Sequence, residues 1–297
     1  MNKRVNFDEI RNNNFRSFLL FILFMILIGG IGAIVGLIYD NFYFGLILAL
    51  IFGIIYSLIV WFAGSKILLT LSNAKPVTKK EYPHLYHSIE GLSLAAGIPT
   101  PKAYVIEDKA LNAFATGRNP KEGAVVVTTG LMEKLNREEL EGVLAHEISH
   151  IKNYDIRAMM IAAIMTGVVV LLSDFMLRSF LWGGGRSRGN GKGNALVIVL
   201  ALVLAILAPL IAQMIKLAIS RKREYAADAG AAVLTRYPKG IANALRKISG
   251  DVNEVKSATN ATAHMYISSP FKKKGMMRNL FSTHPPVEER IKRLEEM

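Results

Sequence analysis

Four long apolar blocks break up an otherwise mixed polar chain. The first, residues 18–39, runs about 22 residues without a charge, enough at about 1.5 Å per residue for a helix to cross a bilayer core. The second, 42–64, follows after only Asp40 and Asn41, so the two blocks predict a helical hairpin. Tyr39, Tyr43 and Trp61 fall near the block ends, where interfacial aromatics belong. The third block is 158–173 and the fourth 195–215; Pro209 within the fourth predicts a kinked membrane helix. Between them, the basic, Gly-rich stretch 178–194 reads as a loop.

The polar stretches carry a different periodicity. Residues 83–101 predict a helix that stops before Gly97 and Pro99. Short β-rich runs at 102–107, 112–117 and 123–129 predict strands, the middle one at a sheet edge, with Gly130 closing the last. Asn136, with Glu139 three residues on, forms a capping-box pattern that opens a helix through Asn153. Residues 216–235 predict a continuation of the fourth block's helix, and the tail after Pro285 and Pro286 predicts a short charged helix. The organisation expected is a membrane hairpin (1–64), a first polar part (65–156), a second membrane hairpin (157–216) and a second polar part (217–297). This is a multi-span α-helical membrane protein with a small β-sheet in its polar part.

Composition narrows the chemistry. The chain has no cysteine, which excludes disulfides and thiolate metal sites, so any metal must be held by His, Asp or Glu. The net charge is +13. Its basic residues flank the apolar blocks, as with Lys3, Arg4, Arg11 and Arg16, and again Arg221, Lys222 and Arg223. That placement points to anionic lipid as a partner and away from nucleic acid. The link between the first two blocks has no Lys or Arg while both flanks do, which puts both ends of the hairpin in the cytoplasm. If all four blocks span, Arg178, Arg186, Arg188 and Lys192 lie outside, against that rule.

The stretch "VLAHEISHIKNYDIRA" (143–158) holds His146 and His150 four apart, with Glu147 beside the first. Four residues place both imidazoles on one helix face, where they can share one ion while the carboxylate takes a proton from a water on it. A hydrolytic zinc site needs a third protein ligand, and Glu224 in "SRKREYAADAG" is the candidate; alone, it would more readily pair with Arg221 or Lys222. Asp228, one turn on, is placed to support a ligating histidine. Asp155 can do the same, cap a helix or pair with Arg157. His284 can assist an oxyanion, approach the metal or sit at the surface, and Arg290 can organise the site or be solvated. His84 and His87 have no acidic partner at ligand spacing and read as structural; His264 has no clear role. With ligand helices adjoining the third and fourth blocks, the metal is expected just inside the membrane interface.

"NAFATG", "GVLAHEISHIKNYDI", "SRKREYAADA" and "STHPPVEERI" together resemble the HtpX family of membrane zinc metallopeptidases, relatives of the CAAX prenyl proteases, over nearly the whole chain. The resemblance implies a mainly helical, gluzincin-like protease domain and one Zn2+ on His146, His150 and Glu224, with Glu147 as general base. It implies acidic support from Asp228 and Asp155, and an Asn112, Ala113, Phe114 and Ala115 segment that pairs with an extended substrate. It further implies a cytoplasmic active site in the cell membrane that clears damaged membrane proteins. The rival expectations are a prenyl-protein endopeptidase, an inactive membrane scaffold and a metal transporter; few ionisable residues lie inside the blocks, which argues against the last. Substrates, cleavage preference and oligomeric state are not encoded in any pattern found.

Overall fold

The computed structural model describes residues 3–38, 40–183, 220–271 and 285–297. The fourth apolar block, the Gly-rich stretch from 184 onward and His284 lie outside them. Helix α1 (Lys3–Ile38) and helix α2 (Phe42–Leu71) form the expected hairpin. Asn41 caps α2, its side-chain oxygen accepting from the Phe44 N–H. Residues 11–37 and 42–71 are long and apolar enough to cross a membrane. The helices touch closely because a Cβ at Gly45 would collide with the Gly32 carbonyl. Most of α2 faces outward with large apolar side chains, Tyr43 and Phe62 among the most exposed, as lipid contact requires. Well before the end of α2, the guanidinium groups of Arg118 and Arg157 lie over the Trp61 ring at 5.7 and 5.3 Å, so charged groups already meet the helix there.

After α2 come strand β1 (Lys75–Pro76), helix α3 (Pro83–Ala96), and strands β2 (Lys102–Ile106), β3 (Ala113–Thr116) and β4 (Ala124–Thr128). The sheet order is β1-β2-β4-β3. β2 and β4 run parallel, with Ala103 opposite Val125, and β3 pairs antiparallel to β4, with Ala115 also opposite Val125. β3 is thus an edge strand, as its short run predicts. Gly130 does not merely end β4: it lies in a short helix, α4 (Thr129–Lys134), which sequence periodicity did not indicate.

Helix α5 (Arg137–Lys152) opens on the predicted capping box, the Asn136 side chain accepting from the Glu139 N–H at 2.9 Å and Glu139 accepting from the Asn136 N–H at 2.8 Å. It is buried from Gly142 through Ile151, packed between the sheet, α3 and two later helices, α7 (Arg221–Thr235) and α8 (Pro238–Gly250). Helix α6 (Asp155–Gly183) carries the third apolar block and is seated against α1 and α2. It extends into the 178–194 stretch expected to be a loop. Helix α9 (Val287–Glu295) closes the described chain.

The metal-motif helix ends where its pattern predicts, with Asn153 as its C-cap; Tyr154 then takes a left-handed backbone (φ 62°) between α5 and α6, an arrangement costly for a bulky residue. One expectation about continuity needs correction: 216–235 is not one helix. Ser220 is extended (φ −150°, ψ 122°) and is the N-cap of α7, which starts at Arg221. Helix α5 is therefore a piece separate from α6, and α7 begins afresh at Arg221.

Candidate metal centre

The buried face of α5 presents His146 and His150 with ring planes at 88° and Nε2 atoms 3.2 Å apart. Glu224 enters from the first turn of α7, with Oε2 3.8 Å from His146 Nε2 and Oε1 3.5 Å from His150 Nε2. All three side chains are at most 5% exposed. A tetrahedral zinc with bonds of 2.0–2.1 Å holds its ligand atoms about 3.3 Å apart, so separations of 3.2 to 3.8 Å fit one such ion. Glu224 does not turn away to Arg221 or Lys222; the side chain is buried on the histidines.

Each imidazole is held from behind by a carboxylate. His150 Nδ1 lies 2.9 Å from Asp155 Oδ2. His146 Nδ1 lies 3.0 Å from Asp228 Oδ1, a close contact somewhat off the ideal hydrogen-bond line. Such partners orient the ring and leave Nε2 facing the metal. Asp228 in turn accepts two hydrogen bonds from Arg290, which is wholly buried on α9. Of the roles open to Asp155, the structure realises the histidine support: its charged partner is Arg223, 3.2 Å away, while Arg157 reaches the Arg118 carbonyl and Asn14.

The charges are tuned accordingly. Burial, with Glu224 nearby, pushes the Glu147 carboxyl up to about 7, against the pull of His150 and Arg290. Burial alone would lower His150, but Asp155, Glu224 and Glu147 carry it up to about 9. Burial lowers His146 in spite of Asp228. Burial would raise Asp228, yet Arg290 brings it down to about 2. Burial would likewise weaken the Arg290 proton, and Asp228, Glu224 and Glu147 hold it more tightly than usual.

Of the substrate-strand residues, Ala115 directs its backbone N–H at the Glu147 carboxylate. Ala113 is already engaged: its carbonyl accepts from the Ile267 N–H at 2.9 Å. The Asn112 side chain donates to the Ser268 carbonyl at 3.0 Å, and Phe114 meets the Tyr266 ring edge-on at 5.1 Å. The chain's own residues 266–268 thus cover the first part of the β3 edge. His264, without a role in the sequence, is buried with Nε2 3.1 Å from the Met159 carbonyl. His87 sits 3.6 Å from Glu90 at the surface. Sequence reasoning passed over Asn13 and Arg223; a polar "RNNN" run at the mouth of an apolar helix was the available signal for the first.

Residues 79–297 match the model of peptidase family M48. Curated relatives described as "Protease HtpX homolog" include one from Dictyoglomus thermophilum, 48% identical and covering 86% of this chain and 82% of its own. Another, from Listeria monocytogenes, is 45% identical over 98% and 99%; one from Tropheryma whipplei is 42% identical over 98% of both. Among solved structures, the crystal structure of S. mikatae Ste24p shares the fold with a TM-score of 0.50 at 23% identity, covering 89% of this chain and 62% of that one. With a buried His-His-Glu set of matching geometry and two apolar helices, the chain belongs to peptidase family M48, as a membrane metallopeptidase of the HtpX type.

Proposed function

We propose that this chain is a zinc endopeptidase of the cell membrane, multi-pass, that cuts misfolded or damaged membrane proteins on their cytoplasmic side. The observation that carries the reading is the convergence of His146, His150 and Glu224, with the buried Glu147 next to them. Zinc held by those three would lower the pKa of a water and polarise the scissile carbonyl. Glu147 accepts the proton of the attacking water at a carboxylate oxygen and returns it to the leaving amine. Asp155 and Asp228 hold the two imidazoles in one orientation, and Arg290 keeps Asp228 ionised. His284 is assigned to the developing oxyanion on its place in "STHPPVEER" alone.

Substrate backbone pairs with the β3 edge around Asn112–Ala115, a mode that reads main chain more than side chains and suits damaged proteins of many sequences. The basic flanks of the first hairpin support the cytoplasmic placement and contact with anionic lipid. The test is a pair of variants assayed for bound zinc and for cleavage of an unfolded membrane protein. Glu147→Gln is expected to keep zinc and lose cleavage; His146→Ala is expected to lose both. Full activity in Glu147→Gln would reject the mechanism.

A further inference from the structure

The side-chain amide of Asn13, near the start of α1, is buried against the metal centre although the residue lies over 130 positions away in sequence. Its Nδ2 donates to Asp155 Oδ1 at 2.7 Å and to the Asn153 carbonyl at 2.8 Å. Its Oδ1 accepts from Arg223 Nη1 at 3.1 Å, and the same Nη1 lies 3.2 Å from Asp155 Oδ1. Both amide hydrogens and an oxygen lone pair are therefore spent on three elements. These are the turn that ends α5, the carboxylate behind His150, and the residue preceding Glu224. The Asn13 carbonyl also accepts from the Ser17 hydroxyl at 2.8 Å.

Asp155 has two oxygens and divides them. Oδ2 takes His150 Nδ1, and Oδ1 takes Asn13 and Arg223. Without the second pair of bonds, the carboxylate is free to rotate about its own axis and the imidazole loses its fixed partner. The break at Tyr154 makes this matter, because α5 and α6 are not one rigid rod and something must set Asp155 relative to His150. Asn13 bonds both sides of that break.

On the reading that the centre holds zinc, we propose that Asn13 is a positioning residue for the metal ligands, fixing His150 through Asp155 and the Glu224 turn through Arg223. The first membrane helix is then a working part of the metal centre and not only an anchor. Asn13 touches neither metal nor substrate, so its loss should act on zinc affinity and on kcat while leaving KM unchanged.

The test uses the full chain in detergent micelles and compares Asn13→Ala with Asn14→Ala. Asn14 is exposed and, among the described residues, accepts a bond from Arg157. Zinc affinity is measured by chelator competition, and ligand geometry by the visible spectrum of the cobalt(II)-substituted protein. Loss of a support to a metal ligand typically weakens binding about 10- to 100-fold. Asn13→Ala is expected to fall in that range with an altered cobalt spectrum, and Asn14→Ala to stay within about twofold. Parent-like zinc affinity and an unchanged spectrum in Asn13→Ala would overturn the proposal. Should Asn13→Ala not fold, Asn13→Ser decides by the same two readings, since its hydroxyl keeps a polar group in the site but is too short to span Asp155 and Arg223. A parent that binds no zinc would instead remove the reading of the centre itself.

Discussion

Arg290 and Asp228 form a two-pronged pair deep in the protein, Nε to Oδ2 at 2.8 Å and Nη2 to Oδ1 at 2.7 Å, with the guanidinium 0% exposed. The pair ties α9 to α7, and through the approach of Asp228 to His146 it ties both to α5. Removing one member of a buried ion pair leaves the other uncompensated, at about 3–5 kcal/mol. Arg290→Ala is expected to lower the melting temperature strongly and to weaken zinc binding with it. Arg290→Lys should recover little, because an ammonium cannot supply two parallel bonds to one carboxylate. Thermal unfolding beside metal analysis checks both.

The metal-free chain should lose stability as pH rises above neutral. Glu147 binds its proton more tightly folded (about 7) than at its ordinary 4.5, so its contribution is full below 4.5 and fades through 7. His150 likewise moves from 6.5 to about 9, so its contribution is full below 6.5 and is lost as pH passes 9. Asp228 runs the other way, from 3.8 to about 2; its contribution is present above 3.8 and is lost as pH falls through 2. The lowered His146 opposes Glu147 below neutral pH, since burial penalises its charged form, so the clear window is above it: the melting temperature of chelator-treated protein should fall from pH 7 to pH 9 as His150 loses its proton.

Zinc uptake should release protons. His150 must give up its proton to become a ligand, and it holds that proton up to about 9. Apparent zinc affinity is expected to climb between pH 6.5 and 9 and then level off. A competition titration at fixed ionic strength measures it, and a flat profile would contradict the assigned role of His150.

Gly142 is where α8 meets α5. A Cβ there would stand 2.6 Å from the Ile241 amide nitrogen and 3.0 Å from the Gly240 carbonyl carbon, both backbone atoms that cannot swing aside. Gly142→Ala is expected to cost about 1–3 kcal/mol, as over-filled cores do. It should show as a lower melting temperature with zinc stoichiometry unchanged in the folded fraction.

What could be read before folding was what neighbours in sequence decide. The cap formed by Asn136 and Glu139, the shared face of His146 and His150, and the edge position of β3 all follow from spacing of a few residues. The bond of Arg290 to Asp228 spans 62 positions and that of Asn13 to Asp155 spans 142; no local period encodes them. The interruption at Ser220 was missed for a related reason. That stretch carries neither the glycine nor the proline that usually marks a break.

Ile267 has both of its peptide groups committed. Its N–H serves the Ala113 carbonyl on the β3 edge, and its own carbonyl receives Arg290 Nη1 at 3.1 Å. On the reading of β3 as the substrate strand, a visiting strand that took over Ala113 would have to displace Ile267, and would loosen a bond on the guanidinium that steadies Asp228. Occupying that edge would then also unsettle the support behind His146.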